Sequence, residues 1–246
     1  LKKLEANGAA AVVLKSIFEE QIQYQINSEL NQLDSNSLIY SQNSEMFDYL
    51  DVKLKNDNLQ TYISLILEAK KTLLIPVIAS INCVSSNDWI EYAKKIQDAG
   101  ADALELNIFL QPSDTSDLDF EQTHISIIEN IQKIVSIPVS VKISNSFTKI
   151  SKTIQLIDKT KVAGIVLFNR FHSSDIDLDN MKIVSVNPYS NEHEYTIPLR
   201  WIALNYNDVS CSLIASTGIH TSQAIIKQLL VGASAVQIVS AIYKHG

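Results

Sequence analysis

Four stretches of the chain repeat one pattern of polar and apolar positions. They read "LKKLEANGAAAVVLKS", "YAKKIQDAGADALELN", "LIDKTKVAGIVLFN" and "IIKQLLVGASAVQIVS". In each, an amphipathic helical segment runs into a glycine, then small residues, then a β-branched or apolar run. The pattern predicts a helix closed by a left-handed C-cap glycine and followed within a few residues by a strand. The strands are continuous apolar runs rather than alternating ones, which implies burial on both faces, as in a parallel sheet. Two further strands enter through proline, "IPVIASIN" and "IPVSVKIS", and a last one reads "CSLIASTG". Seven strands result, at about 11–15, 76–82, 103–107, 138–143, 164–169, 212–217 and 235–240.

Helix and strand in strict alternation specify right-handed βαβ units. An open doubly wound sheet and a (β/α)8 barrel both satisfy that order. The phrase persists over residues 1–246 with no domain break, at a length close to one barrel, so the expected fold is α/β, a single (β/α)8 TIM barrel domain. The chain opens on a helix and stops at Gly246, so the first strand and the last helix of the barrel are expected to be absent from it. Two segments break the rhythm. Residues 28–44 are polar, within a loop excursion extending to about 56, and 175–197 read as a hairpin excursion before the helix "PLRWIALNY".

The strand ends carry the candidate chemistry: Lys15-Ser16, Asn82, Asn107, Lys142, Asn169, Ser216-Thr217-Gly218 and Val239-Ser240. In a barrel these converge on one mouth, the face where such folds place their sites. A polar residue leaving a strand often only bonds its own loop. Two lysines and three asparagines after apolar strands ask for more, because a lysine at a buried mouth needs an anionic or electron-rich partner. "ASTGIHTSQA" sets Gly218 and free N–H groups ahead of a helix starting near Thr221, and "IVSAIYKHG" does the same at Ser240. The loops after the last two strands of a barrel, with helix N-terminal N–H groups, suit a phosphate.

Composition narrows the partners. A net charge of −7 opposes a broad nucleic-acid interface, and Lys70-Lys71 and Lys94-Lys95 read as solvated helix faces. The two cysteines, Cys83 and Cys211, lack CxxC spacing, so neither a disulfide framework nor a metal site is expected. The same usage points to a reducing, cytoplasmic compartment. The longest apolar runs reach about half the length of a membrane helix, so no membrane partner is expected.

The motifs "VVLKS", "ASIN", "GADALELN", "PVSVKIS", "IVLFN" and "STGIHTSQAIIKQLLVGASAVQIVSAIYKHG" together resemble the dihydroorotate dehydrogenase family, in family order over nearly the whole chain. The resemblance implies an FMN-dependent (β/α)8 oxidoreductase that passes a hydride from dihydroorotate to flavin in pyrimidine biosynthesis. It implies that Lys15 lies near the reactive face of the flavin and the substrate carboxylate, with Ser16 beside it as a cofactor contact. Asn82 and Asn107 would hydrogen-bond the flavin, Asn107 reaching substrate as well, and Asn169 would contact substrate or flavin. Lys142 would stabilise the reduced ring. Ser216, Thr217, Gly218, Val239 and Ser240 would hold the FMN phosphate. The expected partners are a dihydroorotate-like small molecule and a second copy of the chain, as a homodimer.

The departures are specific. The family places a cysteine or serine base, then Pro-Asn, in the loop after "ELN". Here that position is about Leu110, and Pro112 is not followed by Asn. Substitute bases are Ser113 and Thr115, with Asp114 and Ser116 in the same loop, and His172, which follows Arg170-Phe171. His220 reads as a neighbour of the phosphate turn and Cys83 as a packing residue. Thr217 stands where the family has a glycine and is expected to restrict positive φ and shift the turn. A missing base costs about 10²–10⁴ in rate. Two further readings therefore stand beside the oxidoreductase: a flavin-binding regulatory protein without turnover, and a phosphate-binding barrel without flavin.

Overall fold

A computed structural model describes residues 1–18, 43–82, 86–108, 119–170, 174–185 and 189–246. The chain divides into two compact units, one of Leu1–Leu106 with Glu129–Pro138, the other of Asn107–Ile128 with Val139–Gly246.

The first unit opens with α1 (Lys2–Ala6), then β1 (Val12–Val13) and β2 (Ile17–Phe18), both short. The long α2 (Asn43–Thr72), β3 (Val77–Asn82), α3 (Ser86–Asp98) and β4 (Ala103–Asn107) follow. β1 and β2 pair parallel with β3, which pairs parallel with β4, in the registers Val12↔Val77, Ile17↔Ile81 and Ile78↔Ala103. Every described β3 residue from Ala79 to Asn82 is buried, as a two-faced parallel strand requires. α3 buries Trp89, Tyr92, Ala93 and Ile96, at the spacing of one helix face. Its outer face carries the i,i+4 pairs Lys94–Asp98 and Lys95–Glu91.

The second unit contains most of α4 (Phe120–Gln132), then β5 (Val139–Ile143), α5 (Ile150–Lys159) and β6 (Gly164–Leu167). An antiparallel hairpin, β7 (Ser174–Asp177) and β8 (Lys182–Ser185), comes next. A 3₁₀ turn, Glu192–Tyr195, leads into α6 (Thr196–Asn205). β9 (Ser212–Ser216), α7 (Ser222–Leu230), β10 (Ala235–Gln237) and α8 (Ser240–His245) complete it. β5, β6, β9 and β10 are parallel neighbours in that order. The α/β class and the seven expected strands are therefore present, within one or two residues of most predicted bounds. The hairpin matches the excursion expected over 175–197.

Two expectations need correction. Of the loop excursion expected over 28–56, residues 28–42 lie outside the described residues, and 43–56 form the first part of α2. Nothing from 43 to 72 is glycine or proline, so no residue stops the helix; its many polar residues hide the apolar period. Gly164 does not cap a helix. It lies inside β6, where a Cβ would sit 2.7 Å from the Ile214 side chain, and Lys161, at φ +62°, makes the left-handed turn instead.

Asp102, between α3 and β4, holds the start of β3. Its N–H donates to the Val77 carbonyl at 2.9 Å, and its carboxylate accepts from Val77 N–H at 2.7 Å and from Lys70 Nζ at 2.6 Å. Partial burial raises the Asp102 carboxyl, but the Lys70 ammonium and the Val77 N–H outweigh it and leave the group below the usual carboxylate range. A depressed folded value means the contribution is present above the unfolded value near 3.9 and disappears as pH falls through the folded one. Both side chains are about a third exposed, so Asp102→Asn is expected to cost about 1 kcal/mol at pH 7. Urea midpoints of wild type and variant should converge near pH 2; a gap that persists there would remove the charge from the explanation.

Candidate functional site

In the second unit, Lys142 on β5 shares a row with Val166, Ile214 and Ala235 on the next three strands. In a flat sheet β5 and β10 would lie about 14 Å apart. Yet Lys142 Nζ donates to Gln237 Oε1 on β10 at 3.1 Å. The sheet of this unit is therefore curled, with Lys142 and Gln237 meeting on its concave face.

At the C-terminal ends of the strands, Asn169 Nδ2 donates to Asn107 Oδ1 at 2.7 Å, and Asn169 Oδ1 accepts from Arg170 N–H at 2.9 Å. The two bonds fix which end of the Asn169 amide is oxygen. Asn107 is buried at the end of β4, and Asn169, just past β6, is held by its backbone N–H donating to the Ile143 carbonyl of β5. Arg170 pairs with Glu194 at 3.2 Å, both partly buried.

β9 ends on buried Ser216, and Thr217 and Gly218 then take φ of +79° and +74°. Thr217 was expected to resist this conformation. It adopts it, with its hydroxyl donating to the Phe168 carbonyl at 3.1 Å, a bond that compensates the strain. Gly218 permits a close approach: a Cβ there would lie 2.1 Å from the Tyr195 nitrogen. Thr221 caps α7 by accepting from Ala224 N–H at 3.3 Å, as its sequence position suggested. Ser240 Oγ accepts from Ser190 N–H at 3.0 Å, and Ser190 Oγ bonds His220 Nε2 at 2.9 Å. Lys244 Nζ donates to the Ser190 carbonyl at 3.1 Å. Buried Ser190 thus ties the segment before the 3₁₀ turn to the turn after β9 and to α8. Val239 is more than half exposed.

In the first unit, Lys15 and Ser16 lie in the gap between β1 and β2, Lys15 exposed and Ser16 half-buried. Asn82 ends β3, buried and in register with Phe18. Ser16 Oγ and Ser80 Oγ are 2.6 Å apart, and Ser80 Oγ donates to Glu105 Oε1 at 3.2 Å. Sequence reasoning gave no role to Ser80, Glu105, Gln237, Ser190 or Glu194. Glu105 in "ALELN" and Gln237 in "AVQIV" did carry a signal, each being a polar residue in the middle of an apolar strand.

The candidate bases Ser113, Thr115 and His172 lie outside the described residues, as do Leu110, Asp114, Ser116 and Cys83. Among the described residues no group of His, Cys, Asp and Glu could hold a metal, and no helix is long and apolar enough to cross a membrane. Cys211 is half-buried, and burial together with the neighbouring Asp158 carboxylate pushes its thiol up to about 12. That makes it a poor nucleophile.

Parallel β/α units with amides and a tight glycine turn at the strand ends are those of the TIM-barrel class. The family model described as dihydroorotate dehydrogenase matches residues 45–246, and the chain belongs to that family. It is 27% identical to dihydroorotate dehydrogenase B (NAD(+)), catalytic subunit, of Thermoplasma volcanium, over 100% of this chain and 79% of the relative. The counterpart of Thermoplasma acidophilum is 28% identical, over 98% and 77%. Dihydroorotate dehydrogenase A (fumarate) of Lactobacillus helveticus is 27% identical over 68% of this chain, and the match spans 57% of that protein's length.

Proposed function

We propose that the chain is an FMN-dependent oxidoreductase that oxidises dihydroorotate or a close relative of it. The observation that carries this reading is the second unit's set of strand ends. It joins an oriented amide pair, a lysine on the concave face and a close-packed turn with two left-handed residues. This donor set fits a flavin mononucleotide, which needs amide contacts for its ring, a cation near its electron-rich edge and a tight turn for its phosphate.

When bound, the flavin would accept the hydride removed from the substrate. Asn107 and Asn169 would hold ring and substrate, each amide kept in orientation by its neighbour. Lys142 would supply positive charge, its ammonium positioned by Gln237. Ser216, Thr217, Gly218, Val239 and Ser240 would receive the phosphate. The family resemblance also assigns ligand contacts to Lys15, Ser16 and Asn82.

Lys142→Ala removes the cation and leaves Gln237 in place. The expected result is a loss of FMN affinity of about 10- to 100-fold, the scale of one charge-assisted bond. A matching slowing of flavin reduction is expected in whatever flavin remains bound. Fluorescence titration and anaerobic stopped-flow absorbance read the two effects; wild-type values for both would remove Lys142 from the site.

A further inference from the structure

Within the second unit, Thr217 holds a left-handed backbone, φ +79°, that glycine would hold with less strain. What threonine adds is a hydroxyl. A carbonyl oxygen can only accept, so the 3.1 Å bond to the Phe168 carbonyl takes the one hydrogen of that hydroxyl. A phosphate needs donors, and this side chain has none left to give. Thr217 can therefore serve a phosphate only through its backbone N–H, while its hydroxyl reaches the end of β6. The next residue there, Asn169, gives its amide to Asn107 Oδ1 at 2.7 Å. A second path runs beside the first. Arg170 Nε donates to Glu194 Oε2 at 3.2 Å, and the backbone of Glu194 and Tyr195 lies against Gly218. Residues 168–170 and the turn 216–218 are thus joined directly by one hydroxyl and indirectly through the 3₁₀ turn.

We propose that the Thr217 hydroxyl couples the turn after β9 to the Asn107–Asn169 amide pair, so that a phosphate held at the turn raises the affinity for a flavin ring at the amides. The proposal rests on the flavin site proposed above. Thr217 is a positioning residue: its side chain acts through Phe168 and Asn169 and need not touch the ring. The coupling has its source in shared ordering, since the first ligand to fix the joined segments spares the second that cost. By linkage, the ring must raise the affinity for phosphate by the same factor.

The test divides FMN into its parts. Riboflavin is titrated by fluorescence, without and with saturating inorganic phosphate, into wild type, Thr217→Ser, Thr217→Val and Thr217→Gly. Phosphate should raise riboflavin affinity about 5-fold or more in wild type and in Thr217→Ser, which keeps the hydroxyl. It should have no effect in Thr217→Val, which keeps the branched shape, or in Thr217→Gly. Glycine relieves the left-handed strain and serves if the valine variant does not fold. Coupling that persists in either variant without the hydroxyl, or that is lost in Thr217→Ser, overturns the proposal. A wild type that binds FMN but whose riboflavin binding does not respond to phosphate overturns it too, and leaves the flavin reading standing. A wild type that binds neither FMN nor riboflavin refutes the flavin reading, and the proposal with it.

Discussion

Gly218→Ala is expected to lower folding stability by about 3 kcal/mol or more, and FMN affinity with it. Two costs combine. Alanine at φ +74° costs about 1–2 kcal/mol on its own. The added Cβ would also lie 2.1 Å from the Tyr195 nitrogen and 2.6 Å from the Glu194 carbonyl carbon. Those are backbone atoms of the 3₁₀ turn, which cannot swing aside as a side-chain tip can, so overpacking adds a further 1–3 kcal/mol or so. For a chain of this size the melting temperature should fall by about 6–12 °C. Gly100→Ala is the control, because Gly100 has φ +91° but open space around its missing Cβ. It should show only the backbone cost. Equal losses in the two variants would mean that the contact between the turn after β9 and the 3₁₀ turn contributes nothing.

The second large effect is expected at Tyr62 on α2. The carbonyls of Pro76 and Ile78 accept from Val12 and Leu14, on the β1 side of β3. Two residues further on, Ser80 points its N–H and carbonyl the same way, toward the gap between β1 and β2. The Tyr62 hydroxyl fills the gap, accepting from Ser80 N–H and donating to its carbonyl. Tyr62→Phe keeps the ring and leaves two buried backbone groups without that partner, at a cost of about 2–4 kcal/mol. Burial pushes the Tyr62 phenol well above its usual value against the opposing Ser80 N–H, and the Glu105 charge adds to the rise. A raised folded value gives stability that is complete below the unfolded value near 10 and is lost as pH climbs beyond it. Urea unfolding from pH 7 to 11 should therefore fall for wild type and stay flatter for the variant. Parallel curves with a gap under about 0.5 kcal/mol would contradict this account.

These two positions show what the sequence could and could not reveal. Strands such as 103–107 were legible because two-faced burial writes itself as an unbroken apolar run, and Gly100 because helix ends need a left-handed residue. Lys142, Asn107 and Asn169 stood out as polar residues after such runs. Their partners did not. Gln237 is 95 residues from Lys142 and Asn169 is 62 from Asn107, and no local periodicity encodes which side chains a curled sheet brings together. Gly164 misled because a glycine needed for close strand packing looks the same as one needed for a helix cap. Tyr62, Ser80 and Glu105 form one buried network drawn from α2, β3 and β4. Of the three, Glu105 alone carried a signal in the sequence, as a charge inside an apolar strand, and it was given no role.

The central claim is that this member of the dihydroorotate dehydrogenase family carries FMN and reduces it with dihydroorotate. The most direct measurement is the visible absorption spectrum of the protein purified without added cofactor, before and after anaerobic addition of dihydroorotate. The expected result is a flavin band that bleaches. A band that persists would keep the cofactor and reject the substrate. No band, even after reconstitution with FMN, would contradict the account.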